Sequence, residues 1–386
     1  MSDAEATVRG EEWLDAKITD QALDEARARI GVLKPIKQWN HVATKDNIWH
    51  WAHGVGDDNP LWWDEAYAAR SPLKGLTAPP TYLYSHANGP LLGENEGEPM
   101  VLPGVLGLWA GERWVWHRPV RVDETVLGEG GLQEITLHEN GRFGGRSATQ
   151  VAGVTYRTKA GELVAERFST IKRFERSEVR SRSKYLDRPL ATYTEADRER
   201  IEQHYRQEAT QRRGDEPRHH EDTRVGEKAP MLMKGPVSIN NIIAFLIGQG
   251  SAYNAPNRLL YNILDNTPGI RMVHPETGVV DNWESPHWEP AFAKMSGYPG
   301  GYDFGNQRFS WMVHAITDWM GDHAALKEME IRLLKPNILN DLSLINAEVI
   351  NVDDAAGTVA LDVSATNQLG EVSARGRALV ALPRRS

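Results

Sequence analysis

Histidines and carboxylates are the residues through which this 386-residue chain could move protons, and few of them sit in suggestive surroundings. His287 lies in Ser285-Pro286-His287-Trp288-Glu289, an imidazole two residues ahead of an acid. Shortly after it, Gly300-Gly301-Tyr302-Asp303-Phe304-Gly305-Asn306-Gln307 leads into an apolar helical run. A histidine exchanges protons near neutral pH, and the unpaired N–H groups of a helix start attract an anion. Earlier in the chain, Asp57-Asp58-Asn59-Pro60 has the composition of a turn and a helix cap. Asn240 and Asn241 read as caps, and His314 as a satisfied core histidine on its apolar helix. Lys335 and Arg332 read as surface charge, or as contacts for phosphates. The adjacent His219 and His220 cannot share one helical face and lack carboxylate–histidine spacing, so no metal site is expected there. The chain has no cysteine, which excludes disulfides, thiolate metal sites and cysteine nucleophiles.

The elements that would position these residues follow from pattern. Residues 1–40 read as a helical lead-in, with Thr19 as an N-cap-like residue. Thr44 caps a short helix that GDDNP ends, and LWWDEAYAAR reads as another. Strand-like alternation follows in GERWVWHRPVRVDETVLGEGGLQEI, RSATQVAGVTYRTK and ELVAERFSTIKRFE. A charged stretch over 175–228 contains a solvated helix at about 193–213. The second half then repeats the order of the first. GPVSINNIIAFLIGQGS answers ATKDNIWHWAHGVGD, and SPHWEPAFAKMSGYPGGYDFGNQRF answers NPLWWDEAYAARSPLKGLTAPPTYL. IRLLKPNILNDLSLINAEVI answers ERWVWHRPVRVDETVLGEGGL, and GEVSARGRALVALP answers GELVAERFSTIKRF. A period this long implies a duplicated domain. The expected division is 1–175, a linker over 176–222, and 223–386.

A net charge of -9 argues against broad nucleic-acid binding. No apolar run approaches the ~20 residues of a membrane span. The acidic N-terminus is no signal peptide, and a cytoplasmic location is expected. Of the 13 tryptophans, nine lie between Trp13 and Trp116, which provides core packing or a wide apolar acyl pocket.

The segments GDHAALKEMEIRLLKPNILNDLSLINAEV and NQLGEVSARGRALVAL resemble the sheet of MaoC-like dehydratases and (R)-specific enoyl-CoA hydratases. GDDNPLWWDEAYA and GLTAPP are similar to an associated N-terminal domain of the fatty-acid-synthase dehydratase type. The resemblance covers nearly the whole chain. It implies an α+β double hot dog, two long helices each wrapped by an antiparallel sheet. It also implies reversible hydration of a 2-enoyl-CoA, or dehydration of a 3-hydroxyacyl-CoA, and the aromatic first half points to bulky acyl groups. The alternatives are an acyl-CoA thioesterase and a non-catalytic partner subunit. Coenzyme A enters only as part of the substrate, no further cofactor or metal is expected, and a homodimer is expected.

The family's pattern asp-x-asn-pro-x-his-x-asp assigns the roles. In the first half Trp62 stands where the histidine belongs, and indole cannot exchange protons near neutral pH. Its helix entry, Ala78-Pro79-Pro80, has no N–H at the prolines. That half is expected to be silent and to shape the pocket. In the second half His287 is the implied general base and Gly305 the implied oxyanion donor. The aspartate departs from the pattern: Asn282 holds its place, leaving Asp281, one residue earlier, or Asp303. Asp303, Asn306, Arg308 and Trp62 are the expected substrate contacts. Arg308 would bind a substrate carboxylate or pair with a neighbouring acid.

Overall fold

The computed structural model describes residues 16–87, 97–98, 101–102, 104–139, 145–175, 185–251 and 253–385. The start of the helical lead-in, with Trp13, and the first residues of the linker, 176–184, lie outside them.

Alternation of buried and exposed side chains builds one ten-stranded sheet. Its strands are β1 (Lys34–Pro35), β2 (Leu106–Trp116), β3 (Val126–His138), β4 (Ser147–Thr158) and β5 (Leu163–Phe174) from the first half. The second half supplies β6 (Leu232–Lys234), β9 (Ala325–Leu333), β10 (Ser343–Asp353), β11 (Thr358–Thr366) and β12 (Val372–Ala381). In β11 the alternation is unbroken, as a strand with one core-facing side requires. The strand order is β1-β3-β4-β5-β2-β9-β12-β11-β10-β6. Read outward from its centre, each half has the same order, so the repeat read in the sequence is a repeat of topology. The halves join where β2 pairs antiparallel with β9, from Gly111 opposite Arg332 to Val115 opposite Glu328. A separate small hairpin pairs β7 (Arg271–Val273) with β8 (Val280–Asn282).

The helices are α1 (Asp20–Arg27), α2 (Lys45–Val55), α3 (Glu65–Arg70), α4 (Glu195–Gln211), α5 (Ile239–Gln249), α6 (Asn257–Asn266), α7 (Pro290–Met295) and α8 (Gly305–Met320). Thr19 caps α1 and Thr44 caps α2 through their hydroxyls. For α5 the cap is Ser238, and Asn241 completes a capping box rather than capping by itself. α4 is the charged connecting helix, capped by Thr194 and Asp197, with no buried residue. None of the described helices is long and apolar enough to cross a membrane.

α8 is the second half's central helix, almost wholly buried against β2, β9, β10 and β11. The first half holds a shorter element at the same place, a 3-10 helix over Tyr82–His86, among the described residues. The rest of the fold is a double hot dog. One hydrophobic cluster runs through both halves, from Trp51 and Trp114 to Phe245, Phe309 and Trp319.

Candidate active site

Two isolated bridges set the two helix entries in equivalent places. Thr77 pairs with Arg121 in the first half and Tyr302 with Ile338 in the second. The next amides repeat the match: Ala78 N–H donates to Val120, and Asp303 N–H donates to Asn337. Counting on from these anchors, Pro80 falls where Gly305 falls. Likewise the 3-10 turn Pro60–Trp62 answers the turn Ser285–His287, so Trp62 falls where His287 falls. The first half therefore lacks both the imidazole and the amide. Trp62 is buried in the core, and its indole N–H is sealed with no partner among the described residues.

His287 is half-buried. Its ring lies on Phe304, with centroids 3.7 Å apart, and beside Tyr302. The Tyr302 carbonyl, 2.7 Å from Nδ1, accepts a hydrogen bond from that nitrogen. That bond fixes the tautomer and leaves the Nε2 lone pair available as a base. Burial pushes the imidazole down to about 4, with the Tyr302 bond opposing it, so the ring is neutral at pH 7. Gly301 supports this arrangement. A Cβ there would come within 2.4 Å of the His287 carbonyl oxygen.

Gly305 opens α8, and the residue before it, Phe304, has no side-chain acceptor to cap the helix. The Gly305 N–H has no partner among the described residues, as the first amides of an uncapped helix do not. Trp109 and Leu333 crowd it, and a Cβ at Gly305 would meet them at 3.0 and 2.9 Å. Trp109 comes from β2, so the first half walls this part of the second. Its indole is held by Glu112, 3.0 Å away, whose buried carboxyl is pushed up to about 7 by desolvation. The sequence reading passed over Trp109 and Glu112. Their only signal was the tryptophan-rich alternation of β2.

The remaining expected residues are placed less favourably. Asp303 and Arg308 are both buried and bind each other bidentately, through Nε to Oδ2 at 2.7 Å and Nη2 to Oδ1. Arg308 Nη1 donates to the carbonyls of Lys335 (2.7 Å) and Ser373 (3.2 Å). Asn337 adds a bond to Asp303 at 3.2 Å. Arg308 is thus taken up inside the protein by Asp303 and backbone carbonyls. Of the two alternatives for Arg308, the neighbouring acid holds. Asp281 sits at the edge of the β7–β8 hairpin and accepts from the Asn282 amide at 2.8 Å. No bond joins it to His287 among the described residues. Asn306 is buried, its side-chain carbonyl accepting from Gln307 N–H at 3.1 Å. Lys335 pairs with Glu371 at 2.5 Å. Asp57 and Asp58 are not helix caps. Asp64 caps α3, and the two aspartates pair with His314 and Arg212. His314 is buried between Asp57 and Asp318, with both ring nitrogens lacking a well-aligned hydrogen bond. No group of three metal-ligating side chains occurs among the described residues.

One acid near His287 was also missed. Glu284 begins the same turn, its carbonyl accepting from His287 N–H at 2.9 Å. Its carboxylate accepts from Ser251 and Asn254, both at 2.7 Å. Desolvation pushes it up to about 7, with those two bonds opposing. It stands where the pattern has asparagine, which is why it was not singled out.

Residues 29–167 match the family of the FAS1-like dehydratase domain region. A UPF0336 protein of Parafrankia sp. is 30% identical over 122 residues, 32% of this chain and 77% of that protein. A MaoC-like dehydratase structure superposes with a TM-score of 0.63 at 16% identity, over 93% of this chain and 100% of the other. A MaoC domain dehydratase from Chloroflexus aurantiacus gives 0.57 at 12% identity, over 93% and 96%. One from Phytophthora capsici gives 0.53 at 11% identity, over 94% and 97%. These structural likenesses concern the fold.

Proposed function

We propose that this chain, which belongs to the family of its UPF0336 relative and carries a FAS1-like dehydratase region over residues 29–167, reversibly hydrates 2-enoyl thioesters of coenzyme A. The supporting observation is the pairing of a tautomer-locked imidazole with an unpaired helix-start amide. His287 stacks on Phe304, and Gly305 is the next residue.

His287 Nε2 takes a proton from water as its oxygen bonds to the β carbon. The double-bond electrons move onto the thioester oxygen, which Gly305 N–H stabilises as the enolate. The imidazolium then returns a proton to the α carbon. Its low pKa makes it a ready donor, because burial disfavours the charged ring. Dehydration runs the same steps backward. The walls around Gly305 are Trp109 and Leu333, an apolar surround in which one N–H is worth more than in water.

The test compares Gly305→Ala with Gly305→Pro. Both add a Cβ that presses on Trp109 and Leu333, but only proline deletes the N–H. Proline is tolerated at the first position of a helix. Turnover followed by the absorbance of the conjugated thioester is expected to fall about 10²–10³-fold further in Gly305→Pro than in Gly305→Ala. Equal activity in the two variants would remove the amide from the mechanism. Free thiol release without any change in conjugation would replace hydration by thioester hydrolysis. In the wild-type protein the acid limb of kcat/KM is expected near about 4, the value of His287.

A further inference from the structure

A cavity of about 480 Å³ lies between α2 of the first half, the connecting helix α4, and β6, α5 and α8 of the second. His287 is not among the residues that line it. Its walls include the indoles of Trp49 and Trp311, the charged Asp57, Glu208 and Lys234, and Asn241. Trp49 is 39% exposed, so the cavity reaches solvent.

The charges around it are matched within the protein. Lys234 is buried, donates to the Gly56 carbonyl at 2.7 Å and lies 3.4 Å from Glu208. Asp58 pairs with Arg212. Asp57 accepts from Asn59 N–H at 3.1 Å through Oδ1, which also stands 3.5 Å from His314 Nε2. No uncommitted cation remains to hold an anion among the described residues, and an entering anion would face Asp57, Asp58 and Glu208. What the walls offer is neutral recognition. Asp57 bonds through one oxygen only, so the other can accept. Asn241 uses its side-chain oxygen on Ser238, at 2.8 Å from the amide, while its Nδ2 has no partner among the described residues. Trp49, Val55, Ala244 and Trp311 supply apolar surface.

We propose that this cavity is a second ligand site. It takes an uncharged molecule with a hydroxyl or amide N–H for Asp57, a carbonyl for Asn241, and a short apolar body between Trp49 and Trp311. The volume falls in the range of small-molecule pockets. His314 acts here as a positioning residue, since its ring nitrogens are sealed from the cavity while it braces the Asp57 carboxylate. The site goes beyond the proposed hydration and does not rest on it.

The full chain labelled with 5-fluorotryptophan tests this, with the Trp49 and Trp311 fluorine resonances assigned through Trp49→Phe and Trp311→Phe. The probe is N-butyl-3-hydroxybutyramide at millimolar concentration. It is expected to shift both resonances saturably, and 3-hydroxyoctanoate to shift neither. Asp57→Asn is expected to weaken the effect about tenfold, the scale of losing one charge-assisted bond. Ala244→Leu fills the cavity and should abolish the effect while the other tryptophan resonances hold their places, which covers the case in which Asp57→Asn fails to fold. The proposal is overturned by unmoved Trp49 and Trp311 resonances with the hydroxyamide. It is equally overturned by equal shifts with the hydroxy acid, or by shifts with butylammonium alone. His287→Ala should leave the titration unchanged, which separates this site from the hydration reading.

Discussion

Arg308 leaves α8 one turn after its start and makes four inward bonds, two to Asp303 and two to backbone carbonyls. Burial pushes the Asp303 carboxyl up and Arg308 pulls it back down. Removing one member of such a pair strands the other charge in a place without water. Arg308→Ala is therefore expected to lower the unfolding free energy by about 3–5 kcal/mol, measured by urea denaturation. The double substitution Arg308→Met with Asp303→Leu leaves no stranded charge, and should recover most of that loss. An Arg308→Ala protein of unchanged stability with a raised KM would instead mean that the guanidinium reaches substrate. The sequence left the two roles open because Asp303 lies five residues back and outside the helix, where helical spacing gives no guidance. His287 and Gly305 stood out in the sequence because each keeps the residue type that the proposed chemistry requires. The place of Asp281 was not readable, since it depends on how β7 and β8 pair.

At the scale of elements, the repeated order of helices and strands was readable, because hydrophobic period and caps are local properties. Partners across the repeat were not. α2 and α5 pack on each other, and they meet at Gly54 and Gly248. A Cβ on Gly248 would lie 2.6 Å from the His50 carbonyl, and one on Gly54 would lie 2.8 Å from that of Ala244. In an isolated helix, alanine is favoured over glycine by about 1 kcal/mol. Here the obstacle is backbone on both sides, and neither helix can give without shifting its half. Gly248→Ala is expected to destabilise by about 1–3 kcal/mol, read as a lower urea midpoint at unchanged slope. A gain in stability would show that the crossing is looser than these distances. The first half's central element illustrates the same limit. Its i→i+3 bonds from Tyr82 to Pro79 and from Tyr84 to Thr81 make it a 3-10 helix, where the family resemblance implied a long helix.

The whole molecule is tied together by β2 on β9, by the α2–α5 crossing, and by a buried charge cluster that composition could not reveal. The two repeats share one continuous sheet, and one hydrophobic cluster spans both halves. In the charge cluster, His314 of the second half stands 3.5 Å from Asp57 of the first and 3.3 Å from Asp318. Arg212, at the end of α4, lies 3.3 Å from Asp318, and Lys234 approaches from β6. Burial alone would push the His314 imidazole down. Asp57, and then Asp318, pull it above 6.5 against the opposing Lys234. A raised histidine stabilises the fold fully below its ordinary value and loses that contribution as pH climbs through its folded value. Asp318 is burdened by burial but held below 3.8, by His314 and then Arg212, so its contribution is present above 3.8 and is lost in acid. Stability is then expected to decline as pH rises above 6.5, in the interval below that in which tyrosines ionise. His314→Gln should flatten that decline, because glutamine carries no charge to lose. Urea midpoints for both proteins across this interval decide the matter. A parallel decline in the variant would mean that the alkaline loss arises elsewhere and that the imidazolium does not hold the halves together.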